Sequence, residues 1–299
     1  MAAPASAPER ILQRLDFQVV RRLDGLLQGD YRTLFRGYGL DFADLREYQV
    51  EDDVRFIDWN VTARMDAPYV REYMEERELT AWFLLDLSPS VDFGTGDSER
   101  IKRSVVIDFV STMARLLTRR GNRVGAVLYD ERVERTIPAG SGRNQVLRLI
   151  EDLLEQPRLT RAPFTDLTPL LEAALRTIRR RSLIFIVSDF ISEPGWERPL
   201  RLLTQHHEVL AIRVVDPRET ALPDVGPMIM QDAETGQQLY VDTHDRRFRE
   251  RFEAAARARE AALNAAFARA GVQALTLATD DDLIRAIVRM ATLRRRRRR

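Results

Sequence analysis

Short unbroken apolar runs at 80–86, 123–129, 182–188, 208–215 and 272–277 alternate along the chain with stretches of helical spacing. The runs lack the gaps of a 3.6-residue repeat, and the first ends in a Ser-Pro turn signal, so they read as strands buried on both faces. In the N-terminal stretch 8–27, Ile11, Leu12, Leu15, Phe17, Val20 and Leu23 predict an amphipathic helix. In 98–119, Ile101, Val105, Phe109, Met113, Leu116 and Leu117 share one face, and Gly121 follows as the stop. Further helices are expected at 143–156, 168–180, 195–205, 244–270 and 283–290, the 244–270 helix closed by Gly271 and the last one capped by Asp280–Asp282. The alternation at 131–138 suits an edge strand paired through a hairpin at Asp130. Residues 68–78 read as an extended lead-in, 217–238 as an irregular excursion containing a hairpin, and 1–8 as disordered. Strands alternating with helices predict an α/β fold with a doubly wound, mainly parallel sheet.

Composition narrows the function classes. At 299 residues and 44% hydrophobic content the chain can build one large domain with a smaller appendage. The 47 basic residues nearly balance 46 acidic ones, which gives no general reason to expect nucleic acid or an anionic membrane as partner. Lys102 is the only lysine, which reads as coding bias towards arginine. There is no cysteine, so disulfides and thiolate chemistry are excluded. The N-terminus lacks the apolar core of a signal peptide, and no apolar run approaches the roughly 18 residues of a membrane span. A soluble, cytoplasmic protein is expected. His206, His207 and His244 have no zinc-ligand spacing.

The chemistry concentrates at strand ends. The run at 80–86 closes on one carboxylate, Asp86, and Ser88 and Ser90 follow at spacings of two and four. Ligands of open α/β sheets sit beyond the carboxyl ends of strands, so these three side chains are expected in one crevice. They offer only oxygen, which suits a hard cation such as Mg²⁺. The plainer reading is that Asp86 caps a loop and the serines open a helix. However, the run at 182–188 repeats the design, ending in Ser188-Asp189, and Thr165-Asp166-Leu167-Thr168 brings further hydroxyls ahead of a helix. Thr168-Pro169 reads as an N-cap followed by Pro at the first helical position, which leaves Thr165 as the better site candidate and Thr168 as its rival.

Asp86, Ser88, Ser90, a distant threonine and then Asp189 resemble, in order, the metal-ion-dependent adhesion site of von Willebrand factor A domains. A second resemblance lies upstream. Leu45-Arg46-Glu47-Tyr48, the pair Asp52-Asp53, Val54-Arg55, Ile57-Asp58-Trp59 and Ala63-Arg64 look like the hallmark of DUF58 proteins, which join this segment to a von Willebrand A-like domain. The family pattern has Gly where this chain has Glu51. The resemblance runs from about Gly37 through Asp189. It divides the chain into an N-terminal helix and signature segment at 1–78, a von Willebrand A-like domain at 79–290, and a disordered arginine-rich tail at 291–299.

It also implies roles. Ser88, Ser90 and Thr165 would ligate Mg²⁺ or Mn²⁺, with Asp86 and Asp189 supporting them through bound water. In DUF58-like chains the threonine stands directly before Asp-Leu, as Thr165 does here. The expected function is non-catalytic binding of a partner carboxylate, the partners being a MoxR-type AAA+ ATPase and a client protein. In the signature segment, apolar residues such as Tyr48, Phe56, Ile57 and Trp59 interleave with charges, so Arg46, Arg55 and Arg64 are expected to pair with carboxylates in a partly buried network that ties the segment to the sheet, the alternative being direct contact with a partner. The sequence leaves open whether Asp52, Asp53 or Asp58 closes over the metal. A Mg²⁺-dependent phosphohydrolase is the rival class, but Leu87 follows Asp86, no histidine stands nearby and no Gly-x-x-x-x-Gly-Lys-Ser/Thr loop exists. A third reading is polyanion binding through Arg294–Arg299.

Overall fold

The computed structural model of the chain describes residues 6–20, 22–23, 39–65, 67–76, 78–94, 100–158 and 164–298. Its centre is a six-stranded sheet. In chain order the strands are β3 (Thr80–Asp86), β4 (Arg123–Tyr129), β5 (Val133–Gly140), β6 (Leu183–Ser188), β7 (Glu208–Val215) and β10 (Gln273–Ala278). They lie side by side as β10-β7-β6-β3-β4-β5, all parallel except the edge strand β5, which runs antiparallel to β4. This is the doubly wound, mainly parallel α/β sheet that the alternating pattern predicts. All six residues from Ala81 to Asp86 are buried, which explains their continuous apolar run: both faces of a central strand are covered by helices.

The two faces have separate cores. Ala81, Phe83 and Leu85 pack with the helix Lys102–Thr118, with Gly142–Glu155, with the N-terminal helix Ala7–Leu15 and with the last helix, Leu283–Arg298. Trp82 and Leu84 pack with Thr168–Thr177, Glu197–His206 and the long helix Arg246–Ala270. Phe83 stacks on Phe185 of the neighbouring strand with ring centroids 5.2 Å apart, a contact that locks the β3–β6 register. The long helix stops at Gly271, whose φ of +67° closes its last turn without the steric penalty of a Cβ. Among the described residues no helix is long and apolar enough to cross a membrane.

Several boundaries differ from the periodicity. The first helix starts at Ala7, because Ser6 and Glu9 form a reciprocal capping box, so residues 6–8 are ordered where Ala/Pro/Ser composition suggested disorder. The last helix, expected to end at Met290 before a disordered tail, continues through Arg298. Gly37 and Arg299 fall outside the described residues, as do the side chains of 293–299.

The largest difference is a two-stranded antiparallel ribbon, β1 (Gly39–Glu47) with β2 (Tyr69–Glu76), for which the charged sequence gave no clear alternation. The signature segment comprises the last three residues of β1 and the connection that leads to β2. Its aspartates act locally: Asp52 accepts two bonds from the Arg46 fork at 2.7 Å, Asp53 caps the turn Val54–Phe56, and Asp58 caps the short helix Trp59–Thr62. The guanidinium of Arg46 holds Asp52 below the usual carboxylate range. The expected partly buried network is thus formed only in part: Arg46 pairs with Asp52 and Arg55 with Asp53, but most of the segment is not covered. Asp58 is buried, but the Arg55–Asp53 pair, Arg64, Val54 and Phe56 are exposed, and Trp59 is 68% exposed. Alternating apolar and charged residues here make a turn surface instead of a core, because 48–65 is too short to fold back on itself. The turn before Asp52 is closed by its N–H to the Gln49 carbonyl at 2.9 Å, with no positive φ, so Glu51 fits where the family pattern has Gly. Trp59→Ala is expected to change unfolding free energy by no more than about 0.5 kcal/mol in a denaturant titration, as for other exposed sites. A larger loss would show that Trp59 is packed.

Candidate functional site

From β3 the chain passes to β4 on one side, and later returns to β6 on the other, so the crevice between the ends of β3 and β6 is the switch point of the sheet. Asp86 is the last residue of β3, and Ser188-Asp189 terminates β6. Asp86 is completely buried. One oxygen accepts the Ser88 N–H at 3.1 Å and the other the Ser188 hydroxyl at 2.6 Å. Pro89 opens the tight turn Pro89–Asp92, which carries Ser90 back beside Ser88, their hydroxyl oxygens 3.1 Å apart. Arg103 clamps this turn, bonding both Asp92 oxygens at 2.6 and 2.9 Å and the Leu87 carbonyl at 3.1 Å.

Thr165 is buried and donates its hydroxyl to Glu234 Oε1 at 3.0 Å. Thr168, its rival, is the first residue of its helix, and its N–H donates to Asp166 at 2.8 Å. Thr168 therefore does not cap the helix: Leu167 holds the N-cap position without a side-chain cap bond, and Asp166 accepts from Thr168 in the turn before it. Asp189 accepts the Ile191 N–H at 2.9 Å and the Lys102 ammonium at 2.8 Å. Hydrogen bonds connect Asp86, Ser88, Ser90 and, through Glu234, Thr165, and Asp189 follows Ser188, whose hydroxyl is bonded to Asp86. Asp52, Asp53 and Asp58 are engaged in their own turns by the contacts above.

Two members of the cluster were not recognised from sequence. Lys102, at the start of its helix, is wholly buried and bridges Asp189 to Glu219 at 2.8 and 2.7 Å. Its lone occurrence was the available signal: a chain that otherwise uses arginine keeps lysine where a compact charge must fit. Glu234 comes from the turn joining β8 (Pro227–Gln231) to β9 (Gln238–Asp242), within the excursion that carried no motif. It is 7% exposed. Its Oε1 also receives the Ser90 N–H at 3.3 Å, while Oε2 is buried without a hydrogen-bond partner.

The electrostatics are those of crowded, desolvated carboxylates. Burial, then the charge of Asp189, pushes Asp86 up to about 6 against the opposing hydrogen bonds of Ser188 and Ser88. Burial likewise raises Glu234, with Asp189 contributing. Burial would lower Lys102, but Asp189 and Glu219 more than offset it and raise it. Asp189 and Glu219 share the Lys102 ammonium, while among the described residues no ion pair reaches Asp86 or Glu234, a surplus of negative charge that a divalent cation would compensate. Among the described residues no three or more His, Cys, Asp or Glu groups are placed to hold a metal by themselves. The hydroxyls of Ser88, Ser90 and Thr165 complete an all-oxygen donor set, which with the unpartnered Glu234 oxygen fits Mg²⁺ or Mn²⁺.

Known proteins provide the family. Among solved structures, an aerotolerance-related membrane protein of Bacteroides fragilis aligns with a TM-score of 0.47 and 12% identity, over 70% of this chain and 94% of its own. BatB of Bacteroides thetaiotaomicron gives 0.45 and 14%, over 72% and 99%. Neither likeness is close enough to bear on function. Uncharacterized protein Mb1516 of Mycobacterium bovis is 38% identical over 287 residues, covering 95% of this chain and 89% of that one. The family described as Protein of unknown function DUF58 matches residues 44–262, and with that share of the chain matched this protein belongs to the DUF58 family.

Proposed function

We propose that the cluster at the end of β3 and β6 is a Mg²⁺-dependent adhesion-type site, and that the protein is a non-catalytic binding module that grips a carboxylate on a partner protein. The observation that carries this reading is the buried all-oxygen set of Asp86, Ser88, Ser90, Thr165 and Asp189 at the switch point, with an excess of negative charge. Ser88, Ser90 and Thr165 would hold the ion, Asp86 and Asp189 would orient them and bound water, and Lys102 would fix Asp189. A bound Mg²⁺ supplies an exchangeable position that a carboxylate oxygen from another molecule can take. The family resemblance supplies the partner: a MoxR-type AAA+ ATPase, acting with this protein on a client.

The reading is tested by measuring binding of the purified ATPase in Mg²⁺ and in EDTA, with wild type and Ser88→Ala. Loss of affinity in EDTA and in the variant is expected, with no turnover of a phosphate monoester. Unchanged binding in EDTA would reject the metal-bridged grip. Mg²⁺-dependent turnover would establish the phosphohydrolase, and polyanion binding that survives Asp86→Ala but not deletion of 294–299 would favour the arginine run.

A further inference from the structure

Building on the metal-site reading above, we infer that Glu234 is a sixth member of the site, a built-in carboxylate that occupies the position meant for a partner's acidic side chain. The hairpin 227–242 would therefore be an internal occupant that an external carboxylate must displace.

Three observations carry this. First, the Glu234 carboxylate contacts two elements of the cluster at once, the Thr165 hydroxyl and the Ser90 N–H, from a part of the chain 69 residues beyond Thr165. Second, its Oε2 is buried and unpartnered, and the charge of a further carboxylate, Asp189, acts on it. A carboxylate oxygen is not held there by its own hydrogen bonds, and a cation shared with Ser88, Ser90 and Thr165 would pair it. Third, the arm that delivers it is otherwise weakly held. Ile229, Leu239 and Tyr240 are 61, 61 and 70% exposed, and on the two strands only Val241 is buried. The tip is preorganised instead: Asp232 Oδ1 accepts the Glu234 N–H, the Thr235 N–H and the Thr235 hydroxyl at 3.0, 2.7 and 2.9 Å. A rigid tip on a solvent-exposed arm is suited to entering and leaving a site as a unit.

The test uses the full chain loaded with Mn²⁺, with water-proton relaxation reporting the waters on the ion and sodium acetate as the carboxylate probe. In wild type, acetate should leave the relaxivity unchanged. Glu234→Gln should weaken Mn²⁺ binding about 10- to 100-fold, raise relaxivity by one inner-sphere water, and make it fall again with acetate. Asp232→Ala keeps the glutamate but loosens its turn, and should show a partial acetate response; it decides the matter if the first variant melts before assay. Mn²⁺ binding with identical affinity, relaxivity and acetate response in all three proteins would overturn the role of Glu234 while leaving the metal site intact. No Mn²⁺ binding in any of them would overturn both the site reading and this inference.

Discussion

Lys102→Met is expected to lower the unfolding free energy by about 3–5 kcal/mol, the usual cost of removing one partner from a buried charge pair. The ammonium is fully buried and serves Asp189 and Glu219, whose side chains are 1% and 20% exposed. Methionine would fill most of the volume, so the loss is chiefly electrostatic: Asp189 would keep only the Ile191 N–H. Glu219 is better placed to relax, since its other oxygen accepts the Asp216 N–H at 3.0 Å and it reaches solvent. In a thermal melt the loss corresponds to roughly 6–20 °C. Lys102→Arg should recover little, because a planar fork needs room that a wholly buried ammonium does not leave. A melt within about 2 °C of wild type for Lys102→Met would mean that the triad contributes nothing to folding, against the usual buried-pair cost.

Asp86→Ala should separate stability from metal binding. It removes a carboxylate that burial already disfavours, but strands the Ser188 hydroxyl and the Ser88 N–H in the core. These effects oppose one another, so the metal-free variant should lie within about 1–3 kcal/mol of wild type. Metal linkage should change far more. At a Mg²⁺ concentration 100 times its Kd, wild type gains about 2.7 kcal/mol. If losing Asp86 weakens binding about 100-fold, as for groups that orient metal ligands, the same concentration stabilises the variant by only about 0.4 kcal/mol. Calorimetric titration of Mg²⁺ and Mn²⁺ into both proteins measures the affinities directly. Equal affinities would remove Asp86 from the site, and the absence of saturable binding in either protein would overturn the metal-site reading.

How much was legible beforehand depended on whether a residue's role was local. The strand ending at Asp86 could be read because a central strand of a parallel sheet must be apolar on both faces, and Ser88 and Ser90 are tied to it by a short turn. Thr165 could be preferred over Thr168 by the family pattern but not by capping, since Thr168 is the first helical residue and Leu167 the N-cap. The signature segment was legible only in part, because interleaved charge and aromatic residues fit either a partly buried network or an exposed turn, and periodicity does not distinguish the two. Half of the ribbon that carries it was legible, since 68–78 reads as extended and forms β2, whereas β1 showed no clear alternation among its charges.

The sequence by itself determined the class of sheet, the ends of its central strands and the hydroxyl and carboxylate chemistry gathered there, because burial on both faces leaves a continuous apolar signal and the site sits where that signal stops. Tertiary structure alone decided that Lys102 and Glu219 brace Asp189 and that Glu234 enters beside Thr165. Those contacts join residues 87, 117 and 69 positions apart. No local pattern encodes a charge pair whose partners meet only after the sheet has closed.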